Sequence, residues 1–367
     1  EVVKLDEMTL EDWFHMHQLP SIIHEAYNVS CRGIFGVPTS QISALGALPE
    51  IFFDFEPQPY PLEAHQLSNS AEAAATTRTT AYAPATGFPS AVEEMARSLH
   101  VQTSTTVTRV TRDGGHCPIG AACGDYTVHT KGPGGVTKNY TCRGVVIATP
   151  APIALELAAS VLSEEQQILL GGMQYTSYAT VALRSESGVG LWDEGFDLAV
   201  PNGLLLTDLY DSTWVERRSN SSLLHSPTRI NTAYLAPHSL QDTFLVDADD
   251  DTLLNTLQRD LATVLPAAAA LRLQDLSPHI QRFRYGYPVF GVGGAARASN
   301  LASITHGPLQ LAGDYLHFPT FDAALASGKQ AAERMAAALG DGDDDSEDSE
   351  DGEEDGRRGR RRHETEL

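Results

Sequence analysis

The chain has 367 residues, of which 42% are hydrophobic and 20% charged, enough for two domains with a sizeable core, so disorder is not expected for most of it. Its formal charge of −23 is uneven: residues 341 to 367 carry 13 acidic and 5 basic side chains, which leaves −15 for the rest. Such an acidic body disfavours nucleic acid as a partner.

The chain starts at Glu1 and enters at once on a structured pattern, from which an upstream continuation, with any targeting signal, is expected. The run "MTLEDWFHMHQLPSIIHEAY" sets Thr9 and Asp12 at capping-box spacing, breaks at Pro20 and resumes as a second helix, so residues 1–56 read as helical. Residues 57–87, rich in Pro, Ser, Thr and Ala, read as a linker or surface loop. From Phe88, "FPSAVEEMARSL" predicts an amphipathic helix capped by Ser90 with Glu93 at its third position. A pair of short β-branched strands in "VQTSTTVTRVTRDGG" follows, then "YTVHTK" and "KNYTCRGVVIATP" as further strands of the same sheet. Residues 88–150 form one unit on this reading.

A second unit, residues 151–307, alternates strand-like runs with turns and predicts a mixed sheet with helices, among them "DDTLLNTLQRDLATVLP" with Asp249 to Asp251 at its positive end. Residues 308–339 return as a strand and a long small-residue helix. The remainder, 340–367, is an acidic run followed by "RRGRRR" and reads as a disordered, solvated tail. The longest apolar stretch, Gly144 to Leu162, contains Pro150, Pro152 and Glu156 and implies no transmembrane segment. Cys31, Cys117, Cys123 and Cys142 form no CxxC pair and have no histidine at zinc spacing, so they read as thiols in a reducing compartment, with no metal. Three glycosylation-type triplets, at Asn28, Asn139 and Asn220, have no signal peptide to give them meaning.

The strand "LQLAG" stops at Gly313-Asp314 and a helix begins near Phe321. A short carboxylate at the carboxyl end of a buried strand can accept hydrogen bonds from sugar hydroxyls, and glycine beside it lets a ligand approach the backbone. The following helix start would aim N–H groups at a phosphate or an anionic ring. The same residues fit equally well a strand cap and a packing helix.

The run "LAGDYLHFPTFDAALASGKQAAERM" resembles the carboxyl-terminal FAD-binding segment of the flavin amine oxidase superfamily, which includes amine oxidases, protoporphyrinogen oxidases and phytoene desaturases. That resemblance implies that Gly313 and Asp314 meet the ribityl chain, and that Thr320, Phe321, Asp322, Ala323 and Ala324 meet the flavin through backbone amides. "VQTSTTVTRV" is similar to the strand whose valine, Val107 here, presents its backbone to adenine. "GVVIATPAP" is similar to the strand that returns beside the cofactor at Thr149 and Pro150. The opening helices resemble those of the substrate domain of plant-type phytoene desaturases. Ala323 departs from the glycine usual in the family, and Thr320 stands where amine oxidases place a tyrosine of their aromatic cage, which disfavours a simple amine substrate.

The implied fold is α/β with an α+β substrate domain, in a two-domain FAD-dependent oxidoreductase whose amino-terminal GxGxxG unit is not in the chain. "GVGGAA", Gly291 to Ala296, satisfies GxGxxA, but Pro288 interrupts the strand before it, "RASNLASIT" is a poor amphipathic helix, and no third strand follows Asp314; it reads as a loop on the substrate face. Tyr285, Tyr287 and Phe290 are candidates for the substrate pocket or for core packing. His279, His306 and His317 read as structural.

The implied activity is hydride transfer from a small organic or lipophilic substrate to FAD, with no side-chain nucleophile required. A carotenoid-type desaturase is the alternative enzyme, and an interaction module that has lost FAD binding is the alternative of another class. A soluble intracellular protein, of the cytoplasm or a plastid, is expected.

Overall fold

Thr9 starts the first capped helix: its Oγ1 accepts from the Asp12 amide at 3.0 Å while the Asp12 carboxylate accepts from the Thr9 amide at 3.4 Å. In the computed structural model the described residues are 2–48, 88–114, 124–186, 191, 198–200, 202–213 and 227–340. The linker expected at 57–87 and the tail beyond Gly340 lie outside them. Helices α1 (Val2–Asp6), α2 (Leu10–Met16) and α3 (Ser21–Phe35) follow the predicted pattern, with Pro20 before α3 and Gly36 ending it at φ 69°. Glycine tolerates that left-handed angle without a Cβ clash. Leu10, Phe14, Cys31, Phe35 and Ile42 bury together as the core of this helical segment.

Helix α4 (Phe88–Ala96) begins two residues before Ser90, which is therefore inside the helix and not its cap. Pro89 explains the shift, because a first-turn amide has no intrahelical partner to lose. "VQTSTTVTRVTRDGG" gives one strand, β1 (Thr106–Arg112), rather than two, and it pairs antiparallel with β2 (Tyr126–Lys131), which pairs with β3 (Thr137–Cys142). The next strand, β4 (Val145–Ile147), does not continue this sheet as expected. It pairs in parallel with β10 (Leu309–Leu311), Val145 opposite Leu309 and Ile147 opposite Leu311. Gly144 permits this departure: a Cβ there would strike the sulfur of Met335 on the last helix, α10 (Phe321–Gly340).

Helix α5 (Ala151–Ala158) follows β4, and α6 (Glu164–Gly171) starts at a Ser163/Gln166 capping box. The second sheet has the order β6–β7–β8–β5–β9, with β5 Gln174–Ser185, β6 Leu198–Ala199, β7 Leu206–Asp211, β8 Arg229–Leu235 and β9 His279–Val289. All its described pairs are antiparallel, which corrects the expectation of a mixed sheet. Short α7 (Phe244–Asp247) precedes α8 (Asp250–Val264), whose cap Asp249 accepts from the Thr252 amide at 2.7 Å. Leu253, Leu257 and Leu261 recur every fourth residue along α8 and bury against Leu206, Leu209 and Leu235 of the sheet. Each such leucine contributes about 1.5–3 kcal/mol.

Pro288 sits inside β9 without breaking it, since β9 is an edge strand of the described sheet and a missing N–H is tolerated there. "RASNLASIT" does form a helix, α9 (Gly294–Ile304), burying Ala298 and Leu301. Its weak amphipathic pattern concealed it; packing against α6 and α1 supplies what the pattern lacks. A third core joins Val110 of β1, Ile147 of β4, Ala151, Ala154 and Ala158 of α5, Leu301 of α9 and Leu309 and Leu311 of β10.

Candidate functional site

Strands β4 and β10 run parallel, so their carboxyl ends coincide. The Ala312 amide donates to the Ile147 carbonyl at 3.0 Å, and Thr149-Pro150 and Gly313-Asp314 leave the pair side by side. The crevice beyond the carboxyl ends of parallel strands is where open α/β sheets bind ligands. Gly313 is required here, because a Cβ would run into the Tyr315 ring. Its N–H donates to Ser327 Oγ at 2.9 Å, which ties the strand exit to α10.

The loop to α10 is held by its aromatic residues. Tyr315 and Leu316 enter the core shared with β4 and α5. Phe318 packs against Phe35 and Phe290, each with ring centroids 6.2 Å apart. Thr320 then caps α10, its Oγ1 accepting from Ala323 N at 3.2 Å and its carbonyl from Ala324 N at 3.1 Å. Thr320 to Ala324 are thus the cap and first turn of a 20-residue helix, with Phe321 and Asp322 exposed.

Burial raises the Asp314 carboxyl above its ordinary range, although the amides of Tyr315 and of Asp314 itself counteract the rise. Tyr175 belongs to the same junction: its hydroxyl accepts from the Ala151 amide at the start of α5, at 3.1 Å, and burial raises its phenol too. The sequence carried no signal for Tyr175, since only the sheet pairing brings it here. Thr149 Oγ1 and the Tyr315 hydroxyl are buried without a hydrogen-bond partner. A buried hydroxyl left so costs about 1–3 kcal/mol, which a ligand with donors and acceptors would recover.

The structure brings Thr149, Pro150, Gly313 and Asp314 together, and the aromatic loop links them to Thr320–Ala324. Val107 is on the exposed start of β1, 37% accessible, and outside the buried core that Val110 joins. Of the aromatic candidates, Tyr287 lines a cavity of about 690 Å³ together with Tyr178, Tyr210, Tyr234, Asp208 and Pro319, the residue before Thr320. Tyr285 meets Tyr175 edge-on at 5.6 Å, and Phe290 is core, 4% accessible.

The amides that begin α9 are taken internally. Asp6 accepts from Ala295 N at 3.2 Å and Ala296 N at 2.9 Å, and its carbonyl from Gly293 N at 2.8 Å. A carboxylate thus stands where a phosphate would have to bind "GVGGAA", and the strand before it is antiparallel to its neighbour.

Residues 55–336 match the family described as flavin containing amine oxidoreductase. Among solved structures, the chain is similar to a protein assigned as a protoporphyrinogen oxidase from Exiguobacterium sp. 255-15, at 17% identity and TM-score 0.64, over 91% of this chain and 67% of that one. It is also similar to cyclohexylamine oxidase from Brevibacterium oxydans IH-35A, at 14% identity and TM-score 0.58, over 92% and 69% of the two chains. A putrescine oxidase redesigned in its cofactor binding matches at 16% identity and TM-score 0.62, over 91% and 69%. At these identities the likeness is one of fold. No curated protein sequence matches the chain.

Proposed function

The chain belongs to the flavin containing amine oxidoreductase family, and from that premise we propose that it holds FAD where β4, β10 and α10 meet and oxidises a compact organic substrate in the tyrosine-lined cavity. When bound, FAD supplies the two-electron chemistry, taking hydride from a C–H bond of the substrate. Asp314 accepts hydrogen bonds from the ribityl hydroxyls, and Gly313 beside it gives the Tyr315 ring the space that keeps this turn in place. The first turn of α10, whose amides at Ala323 and Ala324 are taken by Thr320, contributes the positive end of a long helix toward the flavin ring rather than free amides. The orphan hydroxyl of Thr149, at the end of β4, finds a partner on the cofactor. The adenine-side role of Val107 rests on the resemblance of its strand alone.

The observation that carries this reading is the parallel β4–β10 register, which sets Thr149 beside Gly313-Asp314 from distant parts of the chain. Pro319 and Tyr287 line the adjoining cavity, so a substrate there lies next to the α10 turn. Four tyrosines and a carboxylate in a space of about 690 Å³ favour a compact molecule with polar groups over a long polyene. The tyrosine rings contribute apolar wall that excludes water, and their hydroxyls orient the substrate.

The test is a thermal melt of the purified chain over rising FAD concentration, read beside flavin fluorescence, because without a GxGxxG unit in these residues FAD is expected to bind only weakly. FAD should raise the melting temperature of the parent protein and not that of Gly313→Ala, whose Cβ displaces Tyr315. A parent protein indifferent to FAD in both measurements would overturn the proposal.

A further inference from the structure

The three-stranded sheet carries a charge opposite to that of the chain around it. Strands β1, β2 and β3 contain Arg109, Arg112, Lys131 and Lys138 and no acidic residue, in a chain of formal charge −23. Arg112 is buried and donates to the Tyr126 hydroxyl at 2.6 Å, while the other three are exposed. One face of the sheet is closed, since Val110 and Tyr126 enter the core of β4 and β10. On the opposite face Arg109, His129 and Asn139 are register partners across the strands, and Lys131 lies two residues beyond His129 on the same side. The His129 ring is fixed there, Nε2 lying 2.9 Å from Thr111 Oγ1 and Nδ1 3.0 Å from Asn139 Oδ1.

This row borders a depression of about 470 Å³ that Arg109, His129 and Asn139 line together with three threonines. Arg143, just past the end of β3, is exposed as well. Among the described residues, none of Arg109, Lys131, Lys138 and Arg143 has an ion pair. The acidic residues that flank the strands, Asp113 and Asp125, stand where β1 gives way to β2, at the end away from Lys131.

The chain contains a counterpart to this surface. Residues 341–355 hold 11 acidic side chains and no basic one, and they follow directly on α10. Met335 of that helix sets its sulfur against Gly144, two residues past the end of β3. Gly340 is therefore about 7.5 Å of helix beyond that contact, and β3 itself spans about 20 Å. A run of this length reaches up to about 50 Å, enough to follow the whole strand. Being tethered, it meets the sheet at an effective concentration in the millimolar range, so that several weak surface pairs suffice. The five arginines at 357–362 do not absorb the charge, because six acidic side chains of the run remain after each has taken one partner.

We infer that the acidic segment 341–355 docks on the exposed cations of β1–β3, along Arg109, Lys131, Lys138 and Arg143. The docking requires neither FAD nor a substrate, and it stands or falls apart from the cofactor proposal.

The chain has four lysines, Lys4, Lys131, Lys138 and Lys329. A carbodiimide, which joins a carboxylate to an amine in direct contact, therefore reads the docking by mass spectrometry of the full chain. Lys329 is the internal control: it is the lysine nearest the segment in sequence and its side chain is 78% exposed. In dilute protein at low salt, residues 341–355 should couple to Lys131 and Lys138 about tenfold more often than to Lys329 or Lys4. Salt at about 1 M should abolish the difference. The double variant Arg109→Gln with Arg143→Gln leaves every lysine in place and alters exposed positions alone; it should lower the coupling to Lys131 and Lys138 about threefold or more.

Coupling spread evenly over the four lysines, or centred on Lys329, would overturn the inference. So would a preference that survives high salt or the double variant. Coupling that joins two molecules and grows with protein concentration would overturn it too, by assigning this face to a second copy of the chain.

Discussion

Asp314 is subject to two opposed demands. Burial lifts its carboxyl above its ordinary value, so the folded protein holds this proton to a higher pH than the unfolded chain does. Its contribution to stability is full below the unfolded-state value and is lost as pH rises through the higher folded-state value. At neutral pH the ionised side chain is a cost to the folded chain, and a ligand bearing hydroxyls is what would offset it. Asp314→Asn should accordingly raise the melting temperature of the FAD-free protein at neutral pH, with the gain shrinking as pH falls to the carboxylate range. FAD affinity should drop about tenfold or more, as expected when a charge-assisted hydrogen bond is lost. Melting curves across pH and a flavin titration check both parts, and a variant that melts lower at neutral pH yet binds FAD like its parent would leave Asp314 with a purely structural role. Cys31 shows the inert counterpart: burial pushes its thiol up to about 12 with no polar partner to compensate, as befits a core residue.

Among the elements, α9 and α10 show how similar helix starts come to do different work. α10 is capped by its own Thr320 and joined to the strand exit through Ser327, so its first turn remains beside the β4–β10 crevice. The start of α9 is bound by Asp6, from the far end of the chain. Asp6→Ala should destabilise the protein by about 1–2 kcal/mol in urea denaturation, the usual cost of removing a charged cap. FAD binding should be unchanged. Tighter FAD binding by this variant would instead identify "GVGGAA" as a phosphate site that Asp6 normally occupies. On sequence "GVGGAA" is set aside for Pro288 and a poor following helix, yet the strand and the helix both form; what separates the two helix starts is the carboxylate of Asp6.

For the molecule as a whole, two of the three buried cores meet around one loop, residues 312 to 320, which takes Tyr315 into the core of β4 and β10 and packs Phe318 against Phe35 from the helical segment. The division drawn at 150/151 on the sequence passes through the first of these cores, since Ala151 and Ala154 pack with Ile147. Ligand binding at this junction should therefore be felt across distant segments at once. Hydrogen exchange with and without FAD should show protection at residues 145–151 and 312–324, with β7 and β8 little changed. Protection centred on Gly293 to Ala296 would place the cofactor elsewhere.

Local chemistry was legible because it is written within a few residues. The capping box at Thr9, the Asp249 cap, the stop at Gly313-Asp314 and the helix from Phe321 all depend on neighbours three or four positions away, and the structure has each of them. The family resemblance was legible for the same reason, since its most specific motif is one continuous run. Pairing was not. Nothing within "GVVIATP" says that β4 leaves the preceding sheet to lie parallel to β10, because a three-residue apolar strand fits either partner and the choice is made by the helix above Gly144 and the core beneath Ile147. Tyr175, the orphan hydroxyls of Thr149 and Tyr315, and Asp208 on the cavity wall follow from that choice and from the antiparallel register of the second sheet. A side chain's type is fixed by the sequence, but the groups it faces are fixed only when segments far apart in the chain have packed.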